Sequence, residues 1–89
     1  MADAPTLEIE HSLVGTLELE GTDATYVNLE QVAAIPTRIR VADVEYAYER
    51  SFPVRGHSAV LPQAIAQLED DGKRTVVAER AERYILFVA

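Results

Sequence analysis

Strict alternation of apolar and polar residues marks two short segments near the start of the chain. Thr6–Glu10 and Thr16–Glu20 read TLEIE and TLELE, and a period of two gives a strand one apolar and one polar face. Gly15 between them can adopt the positive φ that a short loop requires. The pattern predicts a β-hairpin whose polar face gathers four glutamates: Glu8, Glu10, Glu18 and Glu20.

Two later segments carry apolar residues at helical spacing. The first begins at Asn28, where Asn28 and Gln31 match a capping box, and it ends before Pro36. The second is capped by Ser58 and ends at Gly72. The apolar stripe of the first helix consists of Leu29, Val32 and Ala33, and that of the second of Leu61, Ala64, Ile65 and Leu68.

Residues 37–52 and 73–88 have the composition of strands. The alternation changes phase between Val41 and Val44, and a two-residue turn at 42–43 restores it by placing these valines opposite each other. Ala-Asp is an unusual sequence for such a turn, so a single bulged strand over these residues is an alternative to the hairpin. Lys73–Glu79 and Arg83–Val88 predict a second hairpin. Its last residues are apolar on both faces, which is typical of a central strand or a strand in a subunit interface.

These elements predict one small α+β domain. A chain of 89 residues is too short for two domains. We expect a mainly antiparallel sheet of five to six strands, built from hairpins, with two helices on one face. We expect residues 6–89 to form the domain and residues 1–5 to form a flexible N-terminus.

The charge is distributed unevenly along the chain. Residues 1–37 contain seven acidic residues and no Lys or Arg, whereas residues 38–89 contain eight residues of each sign. The net charge of −7 disfavours DNA and RNA binding, which needs a basic surface, and an acidic first third favours a basic protein partner. Without cysteine there are no disulfides or thiolate metal sites. We see no signal peptide or membrane-length apolar run, and expect a cytoplasmic protein without a cofactor.

Two groups of residues are candidate sites. Arg55, Gly56, His57 and Ser58 lead into the second helix, where backbone N–H groups and an arginine could hold an anion. The alternative is an ordinary helix cap. The glutamates of the predicted hairpin could bind a basic partner or a divalent cation, or could pair with Arg38 and Arg40 of a neighbouring strand.

Aromatic residues form a third pattern. Tyr46, Tyr48 and Phe52 share one parity and are predicted on one strand face, either as sheet core or as a surface for a partner.

No nucleotide-binding or catalytic motif is present, and His11 and His57 have no partner motif nearby. The leading hypothesis is a non-enzymatic, self-associating interaction or regulatory module. We expect a homodimer, because an apolar strand at the chain terminus often lies at a sheet edge. The alternative is a small-ligand or anion-binding protein, which could be an enzyme, with its site at the start of the second helix.

Overall fold

The computed structural model describes residues 6–19, 21–32, 34–55 and 60–89. The first strands are β1 (Leu7–Glu8), β2 (Val14–Leu19) and β3 (Thr22–Asn28), with a 3₁₀ turn at His11–Leu13 before β2. The later elements are β4 (Arg38–Val41), β5 (Val44–Pro53), helix α1 (Val60–Asp70), β6 (Thr75–Arg80) and β7 (Arg83–Val88). The α+β class is confirmed, with seven described strands in place of five or six.

The seven strands form one mixed sheet in the order β1-β4-β5-β7-β6-β3-β2. The pairs β1–β4 and β3–β6 are parallel, and the others are antiparallel. In a flat sheet the two edges would lie about 29 Å apart, because neighbouring strands are about 4.8 Å apart. Yet the chain passes from the end of β1 to the start of β2 through residues 9–13, which can span only about 21 Å. The sheet therefore curls, as in an incomplete barrel.

Each face of the curled sheet carries an apolar cluster. All seven strands, including both edges, contribute to the first cluster, so it fills the inside of the curl around the fully buried Ile85 and Phe87. The second lies on the outer face, where Leu61 and Ile65 of α1 pack over Leu86. The helix stripe predicted from the sequence is confirmed: Leu61 and Ile65 are buried, and Ala64 and Leu68 are partly buried.

Both later hairpins are confirmed, with tight two-residue turns. Val41 lies opposite Val44, so residues 37–52 form the predicted hairpin and not a single bulged strand. Ala42 and Asp43 have φ of 51° and 67°, and Ala81 and Glu82 have φ of 54° and 62°. Two successive positive φ values define the type I′ turn, whose twist matches that of the flanking strands.

The first predicted helix is wrong. Thr22–Asn28 form β3, because the segment is rich in β-branched and aromatic residues that fit a pleated surface. The Asn28 side chain accepts a hydrogen bond from the Glu30 N–H at 2.9 Å, which closes a turn and caps no helix. Leu29 and Val32 still reach the inner core from the following loop, and Ala33 lies outside the described residues. Thus α1 is the one α-helix in the described ranges.

The predicted N-terminal hairpin is also wrong. β1 pairs in parallel with β4, whereas β2 pairs with β3, so the two similar segments lie at opposite edges of the sheet. Gly15, expected in the loop, is a residue of β2 opposite Tyr26. The turn after β2 contains Gly21 at φ +82°. Alternation specifies two faces for a strand but does not identify its partner.

The end of the chain is not at an edge. β7 lies between β5 and β6, which explains why its apolar residues face both clusters. A terminal strand edge therefore gives no support to self-association. On β5, a register shift between Tyr48 and Arg50 reverses the side-chain parity. Tyr46 belongs to the inner cluster and Phe52 to the outer one, so the prediction of a single aromatic face is wrong.

Candidate functional site

The edge of β2 that faces away from β3 is the longest free strand edge in the described part of the sheet. The Leu29 N–H donates to the Glu79 carbonyl of β6 at 3.0 Å. Alternate residues of a strand direct their backbone groups to the same side, so the odd-numbered residues of β3, like Leu29, direct theirs toward β6. The even-numbered residues of β3 therefore face β2, and the register pairs them with the odd-numbered residues of β2. The Val14 N–H donates to the His11 carbonyl, while the C=O of Val14 and the N–H and C=O groups of Thr16 and Glu18 point outward. We call this set the β2 edge.

Little in the strand itself blocks this edge. Proteins commonly protect edge strands with lysine, proline, bulges or very short strands. β2 has six residues, VGTLEL, with neither lysine nor proline, and it pairs with β3 through six successive residues without a register shift. The opposite edge, β1, has only two residues. The β2 edge is thus the more accessible template for an added strand.

Two like charges lie next to this edge. Glu18 of β2 is directly opposite Asp23 of β3, and both are exposed. Because the backbone groups of Glu18 face away from β3, Glu18 and Asp23 form a pair without mutual backbone hydrogen bonds. Side chains come closest together in pairs of this kind. Within the described residues neither carboxylate has a cationic partner within 4 Å. We call Glu18 and Asp23 the acidic corner.

The other predicted acidic residues are placed differently. Glu8 forms an ion pair with Arg40 of β4, so the arrangement of an arginine beside a glutamate is present at this position. Arg38 pairs with Glu45 at 3.7 Å. Glu10 is exposed before the 3₁₀ turn, and Glu20 lies outside the described residues. The structure therefore separates Glu8 and Glu18 onto opposite edges of the sheet.

The predicted anion site is largely outside the described residues. Arg55 is exposed after β5, and Gly56, His57 and Ser58 are not described. The anion hypothesis stays a prediction.

A shallow groove of about 370 Å³ lies beside α1. The extra residue of the β5 bulge, Glu49, and the adjacent Arg50 form one side of it, and Leu86 lies on its floor. The Arg50 guanidinium carbon lies 4.7 Å from the centre of the Phe52 ring, a cation–π contact that holds this side chain in place. The helix side is formed by Val60, Gln63, Ala64, Gln67, Leu68 and Asp71. Sequence periodicity gave no sign of this groove, because the bulge that shapes it leaves no local pattern.

A tyrosine–carboxylate contact connects β3 to β6. The Tyr26 hydroxyl donates to Glu79 Oε1 at 2.8 Å. Burial, with the hydrogen bond and charge of Glu79, raises the pKa of Tyr26 to about 12. Burial and the charge of Glu79 also raise the pKa of Tyr84. Both tyrosines stay protonated near neutral pH, so the cluster supplies a structural hydrogen bond and no acid or base for chemistry at that pH.

Other classes of site gain no support from the described ranges. No group of three or more His, Asp or Glu side chains there could hold a metal ion. None of the helical structure described is long and apolar enough to cross a membrane. Comparisons with models of protein families, with curated proteins and with solved structures found no match.

Proposed function

We propose that the chain is a non-enzymatic interaction module that binds an extended segment of another protein as an added strand along β2. The observation that carries this proposal is the outward orientation of backbone donors and acceptors at Thr16 and Glu18. Main-chain hydrogen bonds to such an edge provide affinity, and the alternate side chains provide specificity.

The two faces of the edge differ in a way that suits selective pairing. On the outer face of the sheet, Leu17 is partly buried beside the helix-covered cluster. On the other face Thr16 and Glu18 are exposed. A segment added here meets an apolar position flanked by polar ones, so an alternating sequence is favoured over a uniformly polar one.

The first test is a display selection with random linear ten-residue peptides, unbiased in charge. Synthesised peptides from the selection are then titrated into the protein and followed by amide hydrogen exchange. In the free protein, the amides of residues 15, 17 and 19 exchange slowly and those of residues 16 and 18 exchange fast. Bound peptide protects the fast set. Selection of no peptide, or protection elsewhere with the fast set unchanged, would refute the proposal.

A pair of variants at one position provides the control. Thr16→Pro removes an outward N–H and places a ring at the edge, while the bonds from β2 to β3 remain. Thr16→Val keeps the N–H and changes only the hydroxyl. We expect Thr16→Pro to abolish peptide binding and Thr16→Val to retain it. If Thr16→Pro is not folded by circular dichroism, the alternating exchange pattern still decides the question.

A ligand-binding protein is the second candidate, favoured by the groove between β5 and α1. The groove has an apolar floor at Leu86 and charged residues of both signs, Glu49 and Arg50, on its side. This composition suits a small molecule with an apolar body and charged groups. Leucine, 4-methylpentanoate and isoamylamine are matched probes, which carry both charges, the negative charge alone and the positive charge alone. Saturable shifts of the Arg50 and Leu86 amides would support this candidate, and none with any probe would exclude this class of ligand.

A further inference from the structure

Resting on the proposed strand addition, we infer that the segment bound along β2 is basic, and that it places a Lys or Arg beside the acidic corner. Glu18 and Asp23 lie opposite each other without a cationic partner in the described ranges, whereas Glu8 and Glu45 of the same sheet each have an arginine. Opposed like charges in neighbouring strands destabilise the pair. A cation brought by the partner removes that repulsion.

The position of Glu18 in the edge determines which residue of the partner carries the charge. Its N–H and C=O point outward, so an added antiparallel strand forms a hydrogen-bonded pair with it. The partner residue in this pair lies on the same face as the Glu18 side chain, with Cβ atoms about 5 Å apart. Asp23 is one strand further away, within reach of a long Lys or Arg side chain. The partner position opposite Glu18 is thus the specificity position.

The neighbouring positions follow from the alternation of the sheet. The partner residue opposite Leu17 faces the partly buried outer surface and is apolar. The next residue, opposite Thr16, faces solvent and is polar. The bound segment therefore reads basic–apolar–polar from its N-terminal side if it adds antiparallel, and polar–apolar–basic if it adds parallel.

A second copy of this chain does not satisfy this requirement. β2 contains no Lys or Arg, and none occurs in residues 1–37. Full antiparallel pairing of two β2 strands places each Glu18 opposite Val14 of the copy, without a cation, in two chains that each carry a net charge of −7. The charge complementarity favours a different, basic protein.

The composition of the selected peptides tests this inference separately from strand addition. We expect Lys or Arg to be enriched at one position, two residues from a polar one. Binding of such a peptide weakens about fivefold in Glu18→Gln, the equivalent of losing one cross-strand ion pair of about 1 kcal/mol. In Glu18→Lys the preference changes to acidic peptides. Glu69→Lys, an equal charge change at an exposed position of α1, leaves the preference for basic peptides in place.

Each other outcome has a definite meaning. Neutral or acidic peptides that protect the β2 edge would support strand addition and overturn the basic partner. A dimer in sedimentation equilibrium, with the amides of residues 16 and 18 already protected in the absence of peptide, would assign the edge to a second copy. If no peptide binds the edge, the proposed function fails and this inference fails with it.

Discussion

The turn between β6 and β7 provides the sharpest test of how this fold is stabilised. Ala81 and Glu82 both have positive φ, a region that costs an ordinary L-residue about 1–2 kcal/mol. Asn-Gly is the preferred sequence for this turn type. We predict that replacing the pair by Asn-Gly raises the free energy of unfolding by about 1–2 kcal/mol, after about 0.5–1 kcal/mol is lost to the greater chain entropy of glycine.

The contacts of the turn support this magnitude. The Ala81 N–H donates to Glu30 Oε1 at 3.2 Å, and the Glu82 carbonyl accepts from the Val54 N–H at 3.0 Å. Both contacts use backbone atoms of the turn, which the variant retains. Both side chains are exposed, so the substitution removes no buried surface. Relief of backbone strain therefore accounts for most of the expected gain in stability.

Urea denaturation followed by circular dichroism is the appropriate assay. The midpoint should rise with an unchanged m-value, and the melting temperature should rise by roughly 5–15 °C for a domain of this size. Glu82→Gln alone controls for the lost charge and should change the stability by less than about 0.5 kcal/mol. Asn-Gly in place of Ala42-Asp43 should give a smaller gain, because Asp tolerates positive φ better than Glu does. A double variant no more stable than Glu82→Gln would refute the reasoning.

Three further predictions use other parts of the structure. Absorbance titration should show Tyr26 ionising near pH 12, and Glu79→Gln should move its pKa toward 10. Because the unfolded chain loses this proton at about pH 10 and the folded chain at about pH 12, the stability should fall as the pH rises across that interval. Gly72→Ala should lower the free energy of unfolding in urea by about 1 kcal/mol, because φ is +81° there although no atom would clash with the added methyl group. Gly15→Ala, where φ is not positive, should be neutral or stabilising. Equal effects of the two substitutions would contradict this explanation. Neutralising Asp23 with Asn should raise the unfolding free energy by a few tenths of a kcal/mol, whereas Glu8→Gln should lower it by at most about 1 kcal/mol. Effects of the same sign at both sites would contradict this explanation.

Elements that depend on local chemistry could be predicted from the amino-acid sequence. Helical spacing placed the buried stripe of α1 around Leu61 and Ile65, and Gly72 marked its end. There the Lys73 N–H bonds the Leu68 carbonyl at 3.0 Å, in a C-cap that needs a left-handed residue. The change of phase at 42–43 predicted a hairpin in its correct register. These patterns depend on a few neighbouring residues, so they can be recognised without knowledge of the rest of the chain.

The pairing of the strands depends on long-range packing and could not be predicted from the sequence. The similar segments around β1 and β2 could equally have paired with each other, but β1 joins β4 and β2 joins β3. A strand's alternation specifies its faces, whereas its partner depends on the burial that the whole sheet achieves. The free edge of β2 and its acidic corner, on which the proposed function rests, follow from that choice of partners. The Glu18 side of the site was visible in the sequence as an acidic residue, but its pairing with Asp23 and its outward backbone were not.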